Sequence, residues 1–221
     1  MPSAHPSGIH LYGMSGAGSL IVEFLLTFAG AEYQVSFPDQ AERSGPAYRA
    51  ISPKGQIPVL VDEDGNSFSE SLAISFYLLE RFPSAKMIAP IGHPAHGKCL
   101  QWLAYLATIL YNANQRMYQG YSFSGDDEML RQSGLGDRKK SYDEINFALA
   151  QSTFLAGDEI SAADLYLYML LTWDRNIDAE LLSRPQLARV YHAVAELPQV
   201  KQVMARQSPE HTFRKMGPEG L

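Results

Sequence analysis

Cysteine is nearly absent from this chain, since Cys99 is the only one among its 221 residues. An intramolecular disulfide is therefore excluded, and such cysteine usage is typical of proteins from a reducing compartment. His93 and His96 are spaced for one face of a helical turn, but no third ligand accompanies them. Because zinc sites use three or four protein ligands, the sequence predicts no metal site.

Runs of basic residues and long apolar runs are also missing. The chain has 18 Lys and Arg against 24 Asp and Glu, a net charge of −6, which argues against nucleic acid or an anionic membrane as a partner. No apolar run approaches the roughly 20 residues that a membrane span needs. The first residues, MPSAHPSG, lack the basic start and apolar centre of a signal peptide. We therefore expect a soluble, cytoplasmic protein.

The first forty residues have the pattern of a βαβ unit. Ile9–Tyr12 is predicted to be a short buried strand, and apolar residues from Leu20 to Phe28 recur at helical spacing. Gly30 then ends the helix, and residues 32–37 alternate as a second strand does. Strands joined by a helix in this way are parallel with a right-handed crossover.

The next structured segment, residues 51–83, contains the most informative polar residues. Pro58 stands at the start of a predicted strand, where it removes no ladder hydrogen bond and where a cis bond after Ile57 would cost little. A cis bond there would turn the backbone N–H and C=O of Ile57 outward. Asp64-Gly65 signals a tight turn, and Ser69-Glu70-Ser71 precedes an amphipathic helix whose free N–H groups favour a carboxylate.

The remainder of the chain is predicted to be helical. A proline- and glycine-containing linker at about residues 85–92 separates a domain of residues 1–84 from an all-helical domain of residues 93–221. Ser161-x-x-Asp164 predicts a capping box at the start of a buried helix. This second motif is expected to stabilise the fold rather than to take part in chemistry.

Together these patterns resemble the glutathione S-transferase superfamily over nearly the whole chain. The resemblance rests on the strand-initial Ile57-Pro58, the Glu70-Ser71 pair and the [ST]-x-x-D box at Ser161, in the family's order. The segment from Gly16 to Leu20 looks most like that of bacterial beta-type and uncharacterised transferase-like members. The family implies an α+β two-domain fold, with a thioredoxin-like βαβ-α-ββα domain followed by an all-α domain, and a homodimer.

The resemblance also implies glutathione as co-substrate and assigns its contacts. Ile57 would pair its backbone with the cysteinyl part, Glu70 and Ser71 would hold the γ-glutamyl end, and Lys54 or Gln56 would approach the glycyl carboxylate. The residues that we expect to bind glutathione are Gln40, Lys54, Gln56, Ile57, Pro58, Glu70 and Ser71, with Arg43 a further candidate beside Gln40. The residues that we expect to line the pocket for the electrophile are Tyr111, Asn112, Gln115 and Tyr118.

The chain departs from beta-type enzymes at the sulfur of glutathione. Those enzymes have a cysteine where this chain has Gly18, and a His-Lys pair where it has Tyr111-Asn112. A mixed disulfide cannot form at Gly18, which disfavours glutaredoxin-like chemistry. Because glutathione reacts as its thiolate, a hydroxyl donor is expected instead. Ser19 is the first candidate, Ser15 the second and Tyr12 the third, although Ser19 could equally be a helix cap.

The resulting expectation is a detoxifying transferase that conjugates glutathione to a small hydrophobic electrophile. Other glutathione-dependent reactions remain open, namely dehalogenation, isomerisation and peroxide reduction. So does a protein of this fold that binds a ligand without turnover, since fold does not fix function.

Overall fold

The first half of the chain contains a four-stranded mixed sheet with helices packed around it. The computed structural model describes residues 8–118 and 127–207. The strands are β1 (Ile9–Tyr12), β2 (Tyr33–Ser36), β3 (Val59–Val61) and β4 (Ser67–Ser69), in the order β2-β1-β3-β4. The helices of this half are α1 (Leu20–Phe28), α2 (Gln40–Ser44), α3 (Pro46–Ile51) and α4 (Ser71–Arg81). A short 3₁₀ turn, Pro83–Ala85, follows.

The predicted βαβ unit is confirmed. Strand β1 pairs in parallel with β2, and α1 connects them. Strand β3 then pairs antiparallel with β1 and with β4. Gly30 adopts a φ of 64° directly after α1, the left-handed conformation that a glycine allows at a helix end.

The second half is helical, as its sequence period predicts. Its helices are α5 (Pro94–Tyr105), α6 (Tyr111–Tyr118), α7 (Asp127–Leu149), α8 (Ala162–Leu171), α9 (Ile177–Leu182), α10 (Pro185–Ala195) and α11 (Pro198–Met204). A five-residue π-helical segment, Leu106–Leu110, joins α5 to α6, so that one long helix runs from Pro94 to Tyr118. Such widened turns are frequent at functional sites.

A shared apolar core holds the sheet and the helices together. Helix α1 contacts α4, α8 and α11, and its apolar side chains from Leu20 to Leu26 are buried. Every residue of α8 is buried, because this helix lies between its neighbours in the helical half and α1. Within the described residues no helix is both long and apolar enough to cross a membrane.

The predicted capping box at the start of α8 is present and buried. The fully buried carboxylate of Asp164 accepts hydrogen bonds from the N–H of Ser161 at 2.9 Å, from its hydroxyl at 2.8 Å and from the N–H of Leu155 at 2.9 Å. The motif therefore fixes both the start of α8 and the preceding loop. Burial raises the pKa of Asp164, while these hydrogen bonds oppose that shift.

We expect Asp164→Asn to lower the free energy of unfolding by about 1–3 kcal/mol, because the new amide group would face a buried donor. Urea denaturation monitored by circular dichroism measures this loss. The affinity for glutathione should stay at the wild-type value, since Asp164 lies in the interior of the helical half. A variant of wild-type stability, or a selective loss of affinity, would contradict the structural role.

Candidate functional site

A cavity of about 680 Å³ lies between the sheet-containing half and the long helix of the helical half. This volume is within the range of sites for small molecules. Its walls come from the β1–α1 loop, the segment before β3, the start of α4, the π-helical segment, α6 and α8. The residues that line it include Gly18, Arg43, Gln56, Ile57, Pro58, Glu70, Ser71, Thr108, Tyr111, Asn112, Gln115 and Tyr166.

The segment that leads into β3 forms one wall of the cavity. The Ile57–Pro58 bond is cis, as the sequence suggested. The Gln56 carbonyl accepts hydrogen bonds from the hydroxyls of Tyr48, at 2.9 Å, and Ser52, at 3.1 Å. Neither the N–H nor the C=O of Ile57 is hydrogen-bonded to another described residue, so both are available to a ligand. The wall thus offers backbone groups on a fixed loop.

The start of α4 continues the same wall. Glu70 has a φ of 67° and a ψ of 115°, which is rare for a residue with a side chain. This backbone precedes Ser71, the first residue of α4, whose hydroxyl is 2.9 Å from the phenolic oxygen of Tyr166. An acidic side chain, a hydroxyl and the N–H groups of a first helical turn are therefore adjacent.

Ser19, the first candidate for the catalytic hydroxyl, is not among the residues that line the cavity, contrary to the placement expected from the sequence. Its side chain is fully buried, donates to the Met14 carbonyl at 2.9 Å and accepts from the Met14 N–H at 3.1 Å. A methyl group placed on Gly13 would lie 2.5 Å from this hydroxyl, so Ser19 folds back over a glycine. It contributes no side-chain hydrogen bond to cap α1.

The two alternative hydroxyls also lie outside the cavity lining. Ser15 is only 5% exposed. The Tyr12 ring stacks on His10, with a centroid distance of 4.1 Å, and meets the ring of Tyr48 edge-on at 5.6 Å. Burial raises the pKa of Tyr12. Tyr12 thus belongs to the side-chain packing of the sheet.

The opposite wall contains three of the four residues predicted for the electrophile pocket. Tyr111, Asn112 and Gln115 line the cavity, whereas Tyr118 does not. Tyr118 lies about two turns further along the helix and donates its hydroxyl to the Trp173 carbonyl at 2.9 Å. The role expected of Tyr118 at the electrophile therefore stays a prediction that this cavity lining does not include.

Cationic and phenolic lining residues complete the site. Arg43 on α2 lines the cavity, whereas the exposed Gln40 and Lys54 do not. Tyr166 on α8 was not predicted, and no sequence signal marks it. It belongs to a uniformly buried helix and reaches the site only through the packing of α8. Its phenolic oxygen meets the hydroxyl of Ser71 across 95 residues of sequence.

Backbone atoms of the β1–α1 loop are held by the helical half. The indole Nε1 of Trp173 donates to the Gly16 carbonyl at 2.6 Å, and the Gly16 N–H donates to Oε1 of Gln207 at 3.0 Å. The amide of Gln207 also donates to the buried carboxylate of Glu23 at 3.1 Å. Burial raises the pKa of Glu23, opposed by this hydrogen bond and by Arg206. Residues of the helical half therefore fix the loop that carries Gly18.

Comparisons with known proteins agree over both halves of the chain. Residues 7–80 match the family model for the glutathione S-transferase N-terminal domain, and residues 101–198 match that for the C-terminal domain. Glutathione S-transferase GstA of Escherichia coli O157:H7 is 26% identical over 89% of this chain and 98% of its own length.

Solved structures show the same fold. A glutathione transferase from Methylococcus capsulatus superposes with a TM-score of 0.79 and 26% identity, covering 90% of this chain and 98% of that one. A homologue from Sulfitobacter with bound glutathione has a TM-score of 0.80 over the same shares, at 22% identity. The fold class expected from the sequence is thereby confirmed.

Proposed function

The chain belongs to the glutathione S-transferase family, and on that basis we propose that its cavity binds glutathione and conjugates it to a small electrophile. One observation carries the proposal. The backbone of Ile57, with hydrogen-bonding groups available to a ligand, lies on the same cavity wall as Glu70 and the first turn of α4. These are the groups needed to hold a γ-glutamyl peptide in an extended conformation.

Each part of glutathione has a counterpart on this wall. The backbone N–H and C=O of Ile57 pair with the cysteinyl residue, as an added strand pairs with a sheet edge. The N–H and hydroxyl of Ser71 bind the γ-glutamyl carboxylate at the positive end of α4. The carboxylate of Glu70 pairs with the neighbouring ammonium group. Arg43 and Gln56 lie on the lining and bind the glycyl carboxylate.

The cavity wall from the helical half faces the proposed glutathione site, where the second substrate would bind. Bound glutathione loses its thiol proton to solvent, and the sulfur electron pair forms a bond to an electrophilic carbon of the second substrate. The leaving group departs with the electrons of the bond that breaks. Ala107, Thr108 and Tyr111 face the cavity from the helical half and form the contact surface for that substrate. Their mixture of methyl, hydroxyl and aromatic groups favours a small, largely apolar molecule.

A second candidate is a protein that binds glutathione without transferring it. The position of Ser19 favours this alternative, because its buried hydroxyl is hydrogen-bonded to the backbone of Met14 and does not line the cavity. The expected homodimer stays a prediction for both candidates.

Calorimetry with glutathione, followed by a conjugation assay with a chlorinated nitroarene, tests the proposal. We expect saturable binding to one site per chain and turnover above the uncatalysed rate. Binding without turnover of several electrophiles would favour the second candidate, and absence of binding would contradict both. Light scattering of the same sample measures the oligomeric state.

A further inference from the structure

The hydroxyl of Tyr111 lies directly over Gly18. A methyl group placed on Gly18 would be 2.7 Å from the phenolic oxygen of Tyr111, against 3.4 Å and 3.5 Å from its nearest ring carbons. The oxygen thus occupies the space that a side chain at residue 18 would need. Both residues line the cavity, beside Glu70 and Ser71. Tyr111 therefore reaches from the helical half to the loop next to the expected position of the glutathione sulfur.

The Tyr111 ring is held in this position by the same residue that holds the loop. Its ring meets Trp173 edge-on, with centroids 4.9 Å apart and planes at 82°. The indole of Trp173 donates to the Gly16 carbonyl, two residues before Gly18. Tyr111 and the loop thus share one rigid support, and a donor held in place before the reaction needs little reorganisation.

The phenol is a proton-bearing donor at neutral pH. Burial raises the pKa of Tyr111 to about 12, with a smaller contribution from the negative charge of Glu70. Its hydroxyl makes no hydrogen bond to any described residue, although Tyr111 contacts Trp173 through its ring. The other phenol of the cavity, Tyr166, already meets the Ser71 hydroxyl. Tyr111 is thus the lining phenol whose hydroxyl is available to the sulfur.

We propose that the Tyr111 hydroxyl donates the hydrogen bond that stabilises the glutathione thiolate, so that a residue of the helical half performs the role expected of the β1–α1 loop. The proposal rests on the proposed function. The thiol proton leaves to solvent, Tyr111 keeps its own proton, and the sulfur electron pair stays free to attack the electrophile. A side chain on residue 18 would displace the phenol of Tyr111. The glycine at this position is therefore needed to leave room for the hydroxyl.

Tyr111→Phe tests this role because it removes only the hydroxyl. Loss of one hydrogen bond to a charged atom should raise the pKa of bound glutathione by about 1 to 2 and lower kcat/KM near pH 7 roughly 10- to 100-fold. The thiolate absorbance of the complex, titrated with pH, measures the first effect. Affinity for S-methylglutathione, which has no ionisable thiol, should be unchanged.

Tyr105→Phe is the matched control, since Tyr105 lies on the same long helix and donates its hydroxyl to Glu144 at the surface. This variant should keep the wild-type thiol pKa. Gly18→Ala supplies an independent test. In the wild type it should reduce kcat/KM by displacing the phenol. In the Tyr111→Phe background it should have little further effect, because the ring carbons at 3.4 Å and 3.5 Å are at ordinary van der Waals distances from the new methyl group.

The outcomes separate this inference from the proposed function. If the wild type binds glutathione and Tyr111→Phe leaves the thiol pKa unchanged, the role of Tyr111 is overturned and glutathione binding stands. A higher thiol pKa with wild-type affinity for S-methylglutathione supports the role. If calorimetry detects no binding of glutathione to the wild type, the inference and the proposed function are overturned together.

Discussion

Replacing Asp174 with leucine is expected to lower the free energy of unfolding by about 3–5 kcal/mol, because it leaves a buried guanidinium without its counter-charge. Arg138 on α7 and Asp174 after α8 are 2% and 1% exposed, with Nη1 and Oδ1 3.3 Å apart. The carboxylate also accepts the hydroxyl of Tyr142 at 3.2 Å and the N–H of Asn176 at 2.8 Å. Removing it deprives two buried donors, the Arg138 guanidinium and the Tyr142 hydroxyl, of this acceptor.

Chemical denaturation measures this loss, and the melting temperature should fall by roughly 10 °C. Replacing both partners, Arg138→Met with Asp174→Leu, should recover much of the stability, since a buried ion pair can be exchanged for apolar packing. The surface pair of Arg81 and Glu63 provides the matched control. Its side chains are 30% and 44% exposed, so Glu63→Ala should cost no more than about 1 kcal/mol. Equal losses of stability at the two sites would show that burial does not raise the cost of breaking the Arg138–Asp174 pair.

The ion pair also has a functional consequence, because Asp174 follows Trp173 directly. Trp173 holds the Gly16 carbonyl and the ring of Tyr111. The buried charges therefore fix the segment that positions the β1–α1 loop against the cavity. Stability of the helical half and geometry of the site thus depend on the same short stretch of chain.

The sequence predicted best those features that arise within one segment. Apolar period and glycine placement indicated the βαβ unit, and Ile57-Pro58 and Glu70-Ser71 lie on one cavity wall because local turns and a helix start put them there. The direction of the Ser19 side chain was missed for the opposite reason. It depends on the close approach of Gly13, which a helical pattern does not encode.

Contacts between distant segments account for the remaining differences. Tyr166 reaches Ser71 across 95 residues, and Trp173 reaches Gly16 across 157. Neither residue has a local signature, because both look like ordinary core aromatics in a buried helix or its continuation. Tyr111 was expected at the electrophile, yet its relation to Gly18 emerges only when the two halves are packed together.

Glu70→Gly is expected to move stability and ligand affinity in opposite directions. A φ of 67° with a ψ of 115° disfavours any residue with a Cβ, so glycine relieves backbone strain at this position. Glycine also has a higher conformational entropy in the unfolded chain, which offsets part of that gain. The net increase in the free energy of unfolding should be about 1 kcal/mol. The same change removes the carboxylate proposed to pair with the γ-glutamyl ammonium. Losing that hydrogen-bonded charge should weaken glutathione binding roughly 10- to 100-fold.

Two further variants separate the backbone effect from the charge. Glu70→Gln keeps the Cβ and the strained backbone, so it should lose affinity without gaining stability. Lys86→Gly relieves the other positive φ among described non-glycine residues, 55°, at a position outside the cavity lining, and should leave affinity unchanged. If Glu70→Gly bound glutathione as tightly as the wild type, Glu70 would have no role in binding. A gain in stability with lost affinity would show that the strained conformation is retained for the ligand.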